Sequence, residues 1–267
     1  DINIDRPIPL VPRHLRLPVR ERMDRDGNIL VELDESTILR HLSVLEDYDI
    51  QSVAIGYLHA FVNPIHEMRT KEILAKARPD LSISLACEVA PEIREFERLS
   101  TACANAYVRP LMASYLARLA AELKTQGFLC PFLLMTSGGG LTTLDTATKF
   151  PIRLVESGPA GGAILAQRIS EHLGVDRMLS FDMGGTTAKL CLIDDGKPLT
   201  SRSFEVDRVY RFKKGSGLPV RIPVIEMVEI GAGGGSIARI DKLKRIQVGP
   251  ESAGSEPGPA AYDRGGN

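Results

Sequence analysis

Ile38, Leu42 and Leu45 recur at helical spacing after Asp34, which predicts a helix that Asp34 caps and that runs to about Tyr48. Ahead of it, four prolines and then alternating residues around Asp26-Gly27 predict an extended lead-in followed by a hairpin. The apolar run QSVAIGYL reads as a strand, NPIHEMRTKEILAKARPD as a helix with Pro64 near its first turn, and LSISLACEV as another strand. Such β-α-β alternation predicts an α/β architecture. The longest helical region runs from Pro91 to Gly127. Leu111, Tyr115, Leu119 and Leu123 form its stripe, Gly127 its C-cap, and Pro110 is expected to kink or divide it.

Beyond that helix the punctuation changes. PFLLMTSGGG reads as a buried strand entering glycines, and SGPAGGAILAQRISEHLG as a loop feeding a helix. SFDMGGTTAKLCLID reads as two strands of a hairpin, SRSFEV as a charged strand, and FKKGSG as a basic turn. VIEMVEIGAGGGSIARID reads as a final strand that again passes through glycines. The chain has no low-complexity tract and no solenoid period.

With 267 residues there is room for one large domain or two ordinary ones with real cores. A net charge of −1 gives bulk electrostatics nothing with which to favour nucleic acid or an anionic membrane. No apolar run approaches the roughly 20 residues that span a bilayer. Cys87, Cys103, Cys130 and Cys191 are scattered in apolar or helical settings without metal-ligand spacing, so buried free thiols in a reducing, cytoplasmic compartment are expected. The chain opens without an initiator methionine and stops at RGGN inside what reads as a loop, so it is expected to be a segment of a longer polypeptide.

Four clusters set glycines beside hydroxyls: Ser137-Gly138-Gly139-Gly140, Ser157-Gly158-Pro159-Ala160-Gly161-Gly162, Gly184-Gly185-Thr186-Thr187 and Gly233-Gly234-Gly235-Ser236. A tight hairpin accounts for any one of them. Four together suggest successive N–H groups making an anion-binding concavity, with Ser/Thr hydroxyls as further donors or magnesium ligands. None has the spacing of a Walker loop or of a Rossmann fingerprint. The remaining possibility is a β-hairpin phosphate grip, with Asp182 ending one strand, Gly184-Gly185 turning and Thr186-Thr187 entering the next. Asp182 is either a turn-capping carboxylate or a ligand to magnesium through water, a role that ion accepts because it keeps several waters.

Motifs along nearly the whole chain resemble those of the hydantoinase A/5-oxoprolinase family, which includes subunits of ATP-dependent acetone and acetophenone carboxylases. They are LHAFVNPIHE, SLACEVAPEIREFER, NAYVRPLMASYL, SGPAGG, FDMGGTT, IGAGGGSIARID and VGPESAGSEPGPAAYDRGG. The resemblance implies an actin/sugar-kinase-like (ribonuclease-H-like) ATPase fold whose lobes clasp ATP between hairpins. Residues 1–100 would be the C-terminal part of the family's N-terminal lobe, and 101–267 the ATPase-like domain. The further DxGGT hairpin typical of the family's amino terminus is absent, so FDMGGTT would be the second phosphate hairpin and GAGGGS a loop of the nucleotide cleft.

The resemblance also implies ATP- and Mg²⁺-dependent activation of a cyclic amide of hydantoin or 5-oxoproline type, or of a ketone. A hydantoinase B-like partner subunit and an oligomeric assembly would come with it. A non-catalytic nucleotide-binding subunit is the alternative from another class. The chain also departs from the family pattern. Lys189 stands where many members have aspartate, a TTAK form that looks like the hydantoinase branch. PGPAAYDRGG carries Ala261 for cysteine and Asp263 for glycine, so no mechanism can use a thiol there.

Phosphorylating a carbonyl oxygen makes it a leaving group, and the protein's share is positioning and charge neutralisation. On this expectation Gly184, Gly185, Thr186 and Thr187 contact phosphate, and Asp182 holds magnesium through water. Gly233, Gly234, Gly235 and Ser236 add a second wall of donors. Period-two counting favours Glu226 over Glu229 for orienting metal or water, with a solvent-facing glutamate as the other reading. Glu156 carries the same two readings, and Lys189 is either a phosphate contact or an exposed hairpin residue. His59, His66 and Glu67 lack HExxH spacing, so histidines satisfied at a helix start are favoured over a metal. Arg13, Arg16, Arg20 and Arg22 read as a solvated face.

Overall fold

The computed structural model describes residue 5, residues 7–210 and residues 213–266, and divides into two units. Unit 1 holds the chain through Thr136, then Gly140–Val155 and Arg202–Pro223; unit 2 holds Ser137–Gly139, Glu156–Ser201 and Val224 onward. The first four residues of the extended lead-in, and Phe212 at the start of the basic turn, lie outside the described residues.

Unit 1 begins with the antiparallel pair β1 (Arg22–Met23) and β2 (Ile29–Val31), joined through Gly27 at φ 87°. α1 (Glu35–Asp47) starts where the Asp34 carboxylate accepts from the Thr37 N–H and from the Ser36 and Thr37 hydroxyls. Those bonds hold its pKa down at about 2. β3 (Ser52–Ile55), α2 (Ile65–Ala77) and β4 (Ser82–Leu85) form a β-α-β unit in which β3 and β4 pair in parallel. Ile38, Leu45, Ile55, Leu74, Leu81, Ile83 and Leu85 close its core.

The strand expected through LSISLACEV ends at Leu85, and Ala86–Val89 turn into the short α3. There the Cys87 N–H donates to the Glu67 carboxylate at 2.8 Å instead of to a strand ladder. α4 (Glu95–Thr125) has 31 residues and runs unbroken past Pro110. Proline lacks the N–H that would bond the Ala106 carbonyl; the Ser52 hydroxyl donates to that carbonyl at 2.7 Å. Gly127 ends the helix in the left-handed region, where Phe128 donates to the Leu123 carbonyl. The expected stripe turns outward, with Leu111 74% exposed; the buried side is Ala102, Asn105, Ala106 and Leu116. Residue 100 lies inside α4, within unit 1.

Asn105 is fully buried and bonds three segments: Nδ2 donates to Ser84 Oγ and to the Lys149 carbonyl, and Oδ1 accepts from the Ile152 N–H. Asn105→Ala leaves those partners unsatisfied and is expected to destabilise the protein by about 3 kcal/mol in urea unfolding. β5 (Leu133–Met135) and β6 (Leu141–Thr143) form a hairpin before α5 (Leu144–Lys149). The strand expected there to be buried has Leu133 46% exposed; among the described residues β6 is its only partner strand.

Unit 2 opens with α6 (Ser157–Leu173), and the glycines expected to form a loop are its first turns. Pro159 is tolerated there because a first-turn N–H has no helical partner. Ala160, Ala163 and Ala166 bring the helix close to Cys191, Ile193 and Ile225. β7 (Met178–Met183) and β8 (Ala188–Asp194) are the expected hairpin, and β9 (Lys197–Pro198) continues from β8 and pairs with it. SRSFEV is not one strand: β10 (Thr200–Ser201) stays in unit 2, while β11 (Phe204–Val206) and its partner β12 (Leu218–Val220) belong to unit 1.

The last expected strand breaks into three. β13 (Val224–Ile225) pairs with β10, and β14 (Val228–Ile230) pairs with β8, giving the order β14-β8-β7. β15 (Ser236–Ile240) forms a separate hairpin with β16 (Ile246–Ser252). The thiols are free, but only Cys191 is buried and Cys130 is exposed. Among the described residues no helix is long and apolar enough to cross a membrane.

Candidate functional site

Two glycine clusters meet in unit 2. The Gly184 N–H donates to the Thr187 carbonyl at 3.0 Å and closes the turn between β7 and β8. The Gly234 N–H then donates to the Gly184 carbonyl at 3.0 Å, and the Gly235 N–H to the Gly185 carbonyl at 2.8 Å. These bonds bind the 233–235 bend edge-on to the hairpin turn. Packing demands glycine at one point above all: a Cβ at Gly233 would lie 2.6 Å from the Gly184 carbonyl oxygen and 2.7 Å from both the Gly185 carbonyl carbon and the Thr186 nitrogen.

The same bonds correct the expected division of labour. Gly233 N–H donates to Ser236 Oγ at 2.8 Å and Ser236 N–H to the Gly233 carbonyl at 3.0 Å. All four N–H groups of 233–236 are thus engaged within the protein. This loop braces the hairpin turn and is not itself a wall of free donors. Among the described residues, the N–H groups of Gly185, Thr186 and Thr187 donate to nothing, and neither do the two threonine hydroxyls. They stand at the turn with Asp182, whose exposed carboxylate has no hydrogen-bond or ion-pair partner there.

Strand register places the charges around Asp182. Asp182 on β7 and Glu229 on β14 both lie opposite Lys189 on β8, so the three side chains share one face of the sheet. Lys189 is neither exposed nor free. Its side chain is 18% exposed, and its ammonium lies 2.7 Å from Glu156 Oε2 and 3.7 Å from Glu229 Oε1. Burial pulls its pKa down, and the two carboxylates more than offset this, leaving it raised. Glu229 is therefore the glutamate in the row with Asp182. Glu226, favoured by counting, lies between β13 and β14 with its N–H on the Leu199 carbonyl.

Tyr262 comes close to the turn, which counting along the sequence did not find. Its hydroxyl would lie 3.4 Å from a Cβ at Gly185 and 4.0 Å from one at Gly234. Asp263, where the family pattern has glycine, adopts φ 53°, a region that suits glycine and that aspartate tolerates. Nothing places Ala261 at the turn.

The other two glycine clusters do different work. Ser157–Gly162 form the start of α6, and Gly139 at φ 82° would bring a Cβ within 2.7 Å of Ile164. In unit 1, the histidine motif lies in a structural network, but not one that satisfies both rings from the backbone as expected: His59 Nδ1 and His66 Nε2 are buried without a hydrogen-bond partner among the described residues. Glu67 is fully buried, with its two oxygens accepting from the Tyr57 and Cys87 N–H groups, and burial pushes its carboxyl up. Buried Arg98 donates to the Tyr57 carbonyl and lies over the Phe61 ring at 5.4 Å, while His66 bonds Glu21 at 2.9 Å. Arg13, Arg16, Arg20 and Arg22 are exposed, as a solvated face requires.

The donors at the turn suit a metal ion of one kind. Among the described residues no three His, Cys, Asp or Glu side chains gather to hold an ion by themselves. A single exposed carboxylate beside free N–H and hydroxyl donors fits an ion that brings its own waters and a phosphate, as Mg²⁺ does.

Comparison with known proteins gives this geometry a context. The family model described as hydantoinase/oxoprolinase matches residues 98–267, and the one for the hydantoinase/oxoprolinase N-terminal region matches 2–77. An uncharacterized protein of Methanocaldococcus jannaschii is 40% identical over 99% of this chain and 39% of its own length. Caprolactamase subunit alpha of Pseudomonas jessenii is 35% identical over 96% of this chain and 36% of its own length. The crystal structure of that ATP-dependent caprolactamase matches with a TM-score of 0.78 at 34% identity, over 96% of this chain and 36% of that one. The nucleotide-free structure of acetone carboxylase, which carries out ATP-dependent acetone carboxylation, matches with a TM-score of 0.79 at 28% identity, over 97% and 36%. The chain thus spans about two fifths of the length of these relatives. It belongs to the hydantoinase/oxoprolinase family.

Proposed function

We propose that this chain is the nucleotide-handling part of an ATP-dependent hydrolase that opens a cyclic amide, of lactam, hydantoin or 5-oxoproline type, by phosphorylating its carbonyl oxygen. The observation that carries this reading is the braced turn at 184–187, with three N–H groups and two hydroxyls unengaged beside the free carboxylate of Asp182. Resonance makes an amide carbonyl a poor electrophile. Once its oxygen carries a phosphoryl group, with ADP released, water adds at the carbon and the ring C–N bond breaks, the nitrogen leaving as the protonated amine. A second water hydrolyses the remaining acyl phosphate to carboxylate and phosphate. Gly185, Thr186 and Thr187 would receive the phosphate oxygens, with Gly184 shaping the turn and 233–236 holding it rigid. Asp182 would hold magnesium-bound water, and Mg²⁺ would neutralise charge on the transferring phosphoryl group.

The fold we assign is actin/sugar-kinase-like, with units 1 and 2 as parts of its ATPase lobes. The protein would work in the cytoplasm as an oligomer with a hydantoinase B-like partner, since relatives named caprolactamase subunit alpha and acetone carboxylase beta subunit are parts of larger assemblies. A ketone carboxylase subunit is the second reading, favoured by the equal structural likeness to acetone carboxylase. The higher identity to caprolactamase favours the lactam. Coupled ADP-release assays on the full-length protein with its partner, using caprolactam, 5-oxoproline, hydantoin and acetone, test this reading. Stimulation by a cyclic amide supports it; stimulation by acetone alone transfers it to the carboxylase class, and no ADP release with any of them overturns both.

A further inference from the structure

The charge row on the sheet contains an arrangement that the phosphate reading does not require. Lys189 on β8 lies directly opposite Asp182 on β7, close enough for a four-carbon side chain to pair with it. It pairs elsewhere, with Glu156 at 2.7 Å and Glu229 at 3.7 Å. Glu156 reaches it from an unusual backbone. The residue precedes α6 with φ 59° and ψ 20°, a left-handed conformation that is unfavourable for a non-glycine side chain. A glutamate held in such a conformation with its carboxylate on Lys189 couples that strained backbone to the ion pair.

We propose that Glu156, with Glu229, is a positioning residue that holds the Lys189 ammonium away from Asp182, so that the Asp182 carboxylate stays open to a metal-bound nucleotide. The proposal rests on the nucleotide reading above. Releasing Lys189 lets it neutralise Asp182, which competes with Mg²⁺ and leaves the phosphate donors of the turn unchanged. The effect therefore falls on magnesium dependence.

The test is calorimetric titration of a non-hydrolysable ATP analogue into the full-length protein over a range of Mg²⁺ concentrations. Glu156→Gln keeps the size and backbone preference of the residue and is expected to raise the Mg²⁺ needed for half-maximal binding about fivefold. Adding Lys189→Met to Glu156→Gln is expected to return the requirement to the wild-type value, and so is Lys189→Met alone to leave it there. Glu229→Gln should give a smaller rise, and it carries the test if Glu156→Gln lowers the melting temperature. Two results overturn the proposal while leaving the nucleotide reading intact: an unchanged Mg²⁺ requirement in both glutamine variants, or a raised one that Lys189→Met does not relieve. Loss of analogue binding in Lys189→Met, whatever the Mg²⁺ concentration, assigns the lysine to phosphate and likewise overturns it. A wild-type protein that binds no nucleotide with Mg²⁺ removes both this role and the reading beneath it.

Discussion

Gly233→Ala is expected to weaken Mg·ATP binding about a hundredfold, while Gly234→Ala next to it leaves binding near the wild-type value. The contrast follows from what each new methyl group would meet. At Gly233 the obstacles are the Gly184 oxygen at 2.6 Å and the main chain of Gly185 and Thr186 at 2.7 Å. None can swing aside as a side-chain end could. Relief requires the two bends to separate, which breaks the Gly234 and Gly235 bonds to the hairpin turn. At Gly234 the nearest atoms are 4.0 Å away, an ordinary van der Waals distance. Equal affinities in the two variants, measured by titration, would show that the bends do not shape the nucleotide site.

Asp182→Ala is expected to lower ATP turnover about a thousandfold with the melting temperature unchanged. The stability half of this result follows from exposure and from the lack of any partner to its carboxylate among the described residues. Asp182→Asn should lose nearly as much, because the shape is retained and the carboxylate charge that would hold the metal-bound water is lost. Steady-state kinetics and a thermal melt on the same preparations check both halves. Unchanged turnover removes the assigned role, and a collapsed melt turns it into a structural one.

Features set by neighbouring residues were readable in advance. The Asp34 cap, the Gly27 hairpin, the Gly127 helix end and the DMGGTT turn each depend on a few adjacent dihedrals and one or two local bonds. Features set by register were not. Counting by twos from a continuous strand placed Glu226 with the site, but the chain changes partners at Glu226–Met227, from β10 to β8, and the parity of the strand is lost. SGPAGG looked like a loop because glycine disfavours helices. The alanines that follow pack α6 on β8, and that packing outweighs local propensity. The glycines of 233–235 stand out in the sequence. Their N–H groups could be assigned only once the Gly184 and Gly185 carbonyls were known to lie against them. Tyr262 is far from the turn in sequence and meets it only after the β15–β16 hairpin has brought the chain back.

The Ser52 hydroxyl on the Ala106 carbonyl illustrates the same limit inside unit 1. Proline in a helix interior normally removes a bond and bends the rod. Here a strand side chain from far along the sequence supplies the missing donor, and α4 continues.

The central claim is that the main-chain amides of the 184–187 turn grip a phosphate. Hydrogen–deuterium exchange of peptides spanning 181–189, with and without Mg·ATP, tests it most directly, because the Gly185, Thr186 and Thr187 amides have no acceptor among the described residues to slow them. Nucleotide should slow exchange there by at least about tenfold and change peptides covering 233–236 far less, since those amides are already bonded. Saturating Mg·ATP that leaves exchange across 181–189 unaltered would contradict the account.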